Sequence, residues 1–137
     1  MTDYTTFSVD LDSDGIALLK IDVPNQGMNV IDDNLMKDLP AFIDEFVSND
    51  DYKGLVIASG RDNAFMAGAD LRMLEKQSGE LNKDAFNEGM TLNRAFRKLE
   101  TGGHTDREIQ REGKKAKPVA VALEGLALGG GLELALA

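Results

Sequence analysis

The chain has no cysteine, one histidine and only three prolines in 137 residues. Without cysteine there is no disulfide framework, no thiol nucleophile and no thiolate metal site. No stretch approaches the roughly 20 apolar residues a membrane helix needs. The first six residues, Met1-Thr2-Asp3-Tyr4-Thr5-Thr6, hold neither a basic region nor an apolar run. A cytoplasmic protein is therefore expected. Basic residues are scarce as well, 15 Lys and Arg against 24 Asp and Glu, for a net charge of −9. Nucleic acid is a poor partner for such a chain, because its binding relies on Lys and Arg neutralising phosphates. The same deficit opposes any strongly anionic ligand unless basic side chains are gathered locally.

What is present is ordinary globular composition, 42% hydrophobic and 28% charged, in a length that suits one domain spanning 1–137. Phe7 to Leu11 alternates apolar and polar, Asp12-Ser13-Asp14-Gly15 supplies turn chemistry, and Ile16 to Val23 is again β-rich. A hairpin is expected. Asp32 or Asp33 offers an N-cap for a helix through Leu35, Leu39, Phe42, Ile43, Phe46 and Val47. Pro40 should kink or break that helix, since it removes a backbone donor. Gly54 to Ser59 and Pro118 to Leu123 are short apolar runs that read as strands buried on both faces.

Phe65-Met66-Ala67-Gly68-Ala69-Asp70 leads into a short helix around Leu71 to Lys76, and Phe86, Met90, Leu92, Phe96 and Leu99 mark a second amphipathic helix over 83–100. Thr101 to Lys117 reads as a solvated connection with one helical turn or two. It carries His104 and the basic residues Arg107, Arg111, Lys114, Lys115 and Lys117. The whole is an α/β pattern.

Two stretches carry chemistry. Gly129-Gly130-Gly131 runs straight into Leu132-Glu133-Leu134-Ala135-Leu136-Ala137. Side chains are missing where a helix starts, so a negatively charged ligand oxygen can approach the unpartnered N–H groups at the positive end of the dipole. Glu133 lies in the first turn and could aim a carboxylate into the same space. Glycine triplets also act as packing spacers, and a first-turn Glu suits the dipole in any helix. A dinucleotide fingerprint fits poorly, because the spacing is not G-x-G-x-x-G, and no Gly-Lys-Ser/Thr follows for a phosphate loop. Ala67-Gly68-Ala69-Asp70, the second stretch, exposes backbone after a strand; taken alone it reads first as a strand-to-helix turn with Asp70 as N-cap.

Together, in this order and wording, Ala-Gly-Ala-Asp, a helix, Lys-Pro, a Val/Ala strand, Glu-Gly and Leu-Gly-Gly-Gly-Leu-Glu-Leu-Ala resemble the crotonase family of enoyl-CoA hydratases and isomerases. The likeness is greatest to the hydratase portion that opens multifunctional fatty-acid oxidation proteins. It implies a spiral of β-β-α units, with the chain ending before the second half of the fold. It also implies that the Ala69 and Gly130 N–H groups hold the thioester oxygen and that Glu133 activates the water. Asn29, Ala67, Gly68, Asp70, Leu71 and Gly129 would line the coenzyme A channel. No metal is implied, and no cofactor beyond the coenzyme A carried by the acyl-CoA substrate.

The resemblance further implies a trimer-based homo-oligomer or a fatty-acid oxidation complex for the parent protein. Its second catalytic glutamate lies in a segment beyond Ala137, so little turnover is expected of this chain by itself. Enoyl-CoA isomerisation, thioester hydrolysis and a non-catalytic acyl-CoA-binding or assembly module stay open as alternatives.

Overall fold

The computed structural model describes residues 3–77 and 83–137. Its elements are strands β1 (Phe7–Leu11) and β2 (Ile16–Ile21), helix α1 (Asp33–Ser48), strands β3 (Gly54–Ser59) and β4 (Ala64–Met66), and helices α2 (Leu71–Gln77), α3 (Lys83–Thr101) and α4 (Asp106–Glu112). Strands β5 (Val119–Val121) and β6 (Leu126–Ala127) and helix α5 (Gly130–Leu136) complete it. The expected hairpin forms, β1 pairing antiparallel with β2 from Phe7 opposite Ile21 to Leu11 opposite Ala17. The Asp12 carboxylate accepts the Asp14 and Ile16 N–H groups at its turn. Strands β3 and β5 join in parallel, giving the order β1-β2-β3-β5, while β4 and β6 make a separate two-stranded sheet.

Helix α1 starts where Asp32 accepts the Leu35 N–H at 2.8 Å. It passes through Pro40 without interruption, so the expected break does not occur. Leu35 and Leu39 before the proline and Phe42, Ile43 and Phe46 after it are all at most 3% exposed. Burying both halves against one core outweighs a single lost backbone hydrogen bond. Ala17, Leu19 and Ile21 of β2 and Leu55 and Ile57 of β3 form the floor of that core.

Strands β3 and β5 are not buried on both faces. Val56 and Ala58 are half-buried, as are Val119 and Val121, and Ala120 is exposed. The helical cover is on the Leu55 and Ile57 side, leaving apolar residues of the other side partly in solvent.

The expected helix over 83–100 is α3, which buries Ala95, Phe96 and Leu99; the side chain of Phe86 lies outside the described ones. Within the 101–117 connection stands α4, capped by a reciprocal pair in which Thr105 accepts the Glu108 N–H and Glu108 accepts the Thr105 N–H. The Thr105 N–H and hydroxyl, with Lys114, pull the Glu108 carboxyl down to about 2. No residue of α4 is buried.

Candidate active site

The site follows from the pairing of two very short strands. Ala64 is opposite Leu126 and Met66 opposite Ala127, in parallel. Both chains therefore leave the sheet in the same direction, and loops at the carboxyl ends of parallel strands are where α/β folds place their ligands. Gly68 has φ +98° and Gly129 has φ +49° with ψ −128°, values that side-chain-bearing residues rarely adopt. A Cβ on Gly68 would lie 3.2 Å from the Leu128 carbonyl oxygen. The two loops touch through bare backbone.

Ala69 sits on the first loop, and its flanking groups are committed to Ile31. The Ile31 N–H donates to the Gly68 carbonyl at 2.7 Å, and the Asp70 N–H donates to the Ile31 carbonyl at 2.9 Å. In this parallel bridge successive peptide groups alternate in direction, so the Ala69 N–H faces away from Ile31. It has no acceptor among the described residues. Gly130, on the second loop, is the first residue of α5, and its N–H is likewise without an acceptor there.

Ala69, Gly130 and Glu133 line one cavity of about 280 Å³, whose walls are Ile31, Met36, Met73, Gly89, Leu92 and Asn93. Glu133 is exposed, its side chain makes no hydrogen bond or ion pair, and it is the single ionisable residue lining the cavity, all among the described residues. A mostly apolar wall with two free donors and one carboxylate suits a ligand that is apolar apart from a polarised oxygen.

The other anticipated residues divide. Gly68 and Gly129 allow the loops to meet, and the Ala67 N–H is spent on the Asn29 carbonyl at 2.8 Å. Asp70 accepts the Arg72 N–H at 3.0 Å, as an N-cap would, and binds the Arg72 guanidinium and Gln26. Hydrogen bonds from Arg72 hold its carboxyl below the usual carboxylate range. Leu71 is 73% exposed. Asn29 is fully buried with every polar side-chain atom engaged inside the protein, so it has no surface with which to line a channel.

Ile31, Met36, Met73, Leu92 and Asn93 are wall residues that sequence reasoning did not single out. Leu92 belongs to a helical stripe that reads as core, and nothing in the order of residues distinguishes a cavity wall from a core face. The basic residues near α4 lie elsewhere. Lys117 donates to the Phe46 and Asn49 carbonyls at 2.6 Å, capping the carboxyl end of α1, and Lys114 pairs with Glu108 at 3.1 Å. Met36, at the cavity, and Asn49 are 13 positions apart, which along α1 is roughly 20 Å. His104 and Lys115 line a different cavity at that far end. Among the described residues no group of three His, Cys, Asp or Glu side chains is disposed to hold a metal, and no helix is long and apolar enough to cross a membrane.

The enoyl-CoA hydratase/isomerase family profile matches residues 12–137. Among curated proteins, the fatty acid oxidation complex subunit alpha of Shewanella amazonensis is 40% identical over 132 residues, 96% of this chain and 17% of that protein. The subunit of the same name from Idiomarina loihiensis is 29% identical over 138 residues, again 17% of its length. The chain thus spans about a sixth of these relatives. Among solved structures, an enoyl-CoA hydratase from Shewanella pealeana superposes with a TM-score of 0.76 at 23% identity, over 94% of this chain and 43% of that one. An enoyl-CoA hydratase from Geobacillus kaustophilus gives 0.73 at 27% identity, over 98% and 44%. The fold is the crotonase fold.

Proposed function

The chain belongs to the enoyl-CoA hydratase/isomerase family, and on that premise we propose that its cavity holds the acyl thioester of a coenzyme A substrate for addition of water to a trans-2-enoyl-CoA. The observation that carries this reading is that Ala69 and Gly130, in the loops that follow two adjacent parallel strands, line one cavity and have N–H groups unengaged among the described residues. Water attacking carbon 3 of the enoyl group pushes electron density through the conjugated system onto the thioester oxygen. Fixed donors aimed at that oxygen stabilise the resulting enolate, each being worth roughly 100- to 1000-fold in rate.

Glu133 takes the proton from the attacking water. A carboxylate with no internal partner is free to do so, and a positioned base of this kind contributes roughly 100- to 10,000-fold. The enolate must then be protonated at carbon 2. No second ionisable side chain lines the cavity among the described residues. The names of the curated relatives support fatty acyl-CoA as the substrate class and an oxidation complex as the setting.

The test compares butyryl-CoA with S-butyl-CoA, a thioether that lacks only the carbonyl oxygen. Two hydrogen bonds of about 1 kcal/mol each predict roughly tenfold or more tighter binding of the thioester. Equal dissociation constants would mean that the two N–H groups do not hold a carbonyl. Loss of the conjugated-thioester absorbance of crotonyl-CoA reports hydration in the same samples.

A further inference from the structure

Asn29 does not touch the cavity, yet its surroundings connect it to the donor that does. Its amide nitrogen donates to the Ile21 carbonyl at 2.8 Å, the Ser59 hydroxyl oxygen at 3.0 Å and the Phe65 carbonyl at 3.2 Å. Ile21 and Ser59 are the last residues of β2 and β3, and Phe65 is the residue before the last of β4. Its amide oxygen accepts the Val23 N–H at 3.0 Å, just past the end of β2. One buried side chain therefore ties together three strand ends, and it is 0% exposed.

The backbone of the same short segment carries the effect onward. The Asn29 carbonyl accepts the Ala67 N–H, and two residues later Ile31 bonds both Gly68 and Asp70. Fixing Asn29 fixes the segment 29–31, and that segment sets the register and direction of 67–70. The outward direction of the Ala69 N–H is the end of this chain of bonds. We propose that Asn29 is a positioning residue for the Ala69 donor, acting on the thioester oxygen through the backbone without contacting substrate. The proposal rests on the acyl-CoA reading above.

Its cost when disturbed differs from that of a core defect. Truncation to alanine removes the side-chain hydrogen bonds to Ile21, Ser59, Phe65 and Val23 and leaves the Phe65 carbonyl and the Val23 N–H to find other partners, while the Ile21 carbonyl keeps the Gly60 N–H. The segment 29–31 then loses its anchor to the strands and the loop bonded to it can shift, and a donor misplaced by an ångström loses most of its effect. Binding that does not use the carbonyl has no reason to change.

The experiment is difference infrared spectroscopy of crotonyl-CoA labelled with 13C at the thioester carbonyl, bound to the 137-residue chain, to Asn29→Ala and to Ser59→Ala. Dissociation constants for S-butyl-CoA and thermal unfolding are measured alongside. The native chain should lower the carbonyl stretch relative to free ligand. Asn29→Ala should abolish most of that shift and cost roughly tenfold in thioester affinity, with S-butyl-CoA affinity changed less than twofold. Ser59→Ala, which removes one of the ties, should lose part of the shift.

A folded Asn29→Ala that keeps the full shift overturns the positioning role alone. Should Asn29→Ala fail to fold, an undiminished shift in Ser59→Ala does the same. Absence of any shift in the native chain overturns the acyl-CoA reading as well.

Discussion

The Leu128 N–H donates to the Met66 carbonyl across 3.0 Å, and this bond sets the two donor loops side by side. Met66 ends β4 and Leu128 follows β6, so the contact extends a pairing of three residues with two into the loops themselves. What lies immediately downstream on each side, Ala69 and Gly130, then faces the same space. The side-by-side placement of the two loops is thus a consequence of strand pairing.

Glu133 is the group whose removal should separate chemistry from binding. Glu133→Gln keeps the shape and the hydrogen-bonding ends but cannot accept a proton from water. Hydration of crotonyl-CoA should fall roughly 100- to 10,000-fold, while the thioester dissociation constant changes less than twofold, because the carboxylate has no partner to lose among the described residues. Initial rates and calorimetric titration read the two quantities; a retained rate would remove Glu133 from the mechanism.

Gly130 meets a specific neighbour. A Cβ there would fall 2.4 Å from the Ile31 Cδ1, the far end of a side chain that also lines the cavity. Gly130→Ala should push Ile31 into the ligand's space or displace the N–H, weakening butyryl-CoA binding roughly tenfold. Ile31→Val removes the colliding methyl, so the double variant should recover most of the affinity. Failure of that rescue would place the conflict elsewhere.

For Gly131 two effects oppose each other. Alanine within a helix ordinarily gains about 1 kcal/mol over glycine. Here a Cβ would sit 2.6 Å from the Met66 Cβ and 2.8 Å from the Met66 carbonyl oxygen, neither of which is a flexible tip. The overlap should win, and Gly131→Ala should destabilise the chain by about 1–3 kcal/mol in urea unfolding. A stabilised variant would mean that α5 and β4 are not packed this closely.

The N-terminal segment makes an acid-sensitive contact. Burial pushes the Asp38 carboxyl up, but hydrogen bonds from the backbone and hydroxyl groups of Thr5 and Thr6, at 2.9 to 3.2 Å, reverse this and hold it below its ordinary value. A carboxyl lowered by folding contributes stability above its unfolded pKa, about 3.9, and loses it as pH falls through the lowered folded value. Asp38→Asn should therefore be less stable than the native chain at pH 7, with the gap closing as the pH drops below about 4. Urea midpoints at pH 7 and pH 3 give the comparison, and a gap of constant size would deny the linkage.

Elements long enough to show a period were legible in the sequence. The hairpin over 7–21, α1 with its Asp32 cap and the stripe of α3 all repeat every two residues or every three to four. Strands β4 and β6 were not legible, because three and two residues cannot register an alternation and they exist only by pairing with each other. Helix α4 did announce itself, in the Thr105-x-x-Glu108 box, a local signal that composition obscured. Ala69, Gly130 and Glu133 stand out in the sequence through the resemblance to a family, and the structure places all three around one cavity. Asn29 was assigned to the wrong surface: a polar residue in a loop gives no sign, in sequence, that folding will bury it among three strand ends.

The central claim is that the Ala69 and Gly130 amides together hold a thioester oxygen, and amide NMR tests it most directly. In a 1H–15N titration of the 137-residue chain with butyryl-CoA, both amide protons should move downfield along one saturation curve, and S-butyl-CoA should leave both in place. Saturable butyryl-CoA binding in which neither amide moves would contradict the account.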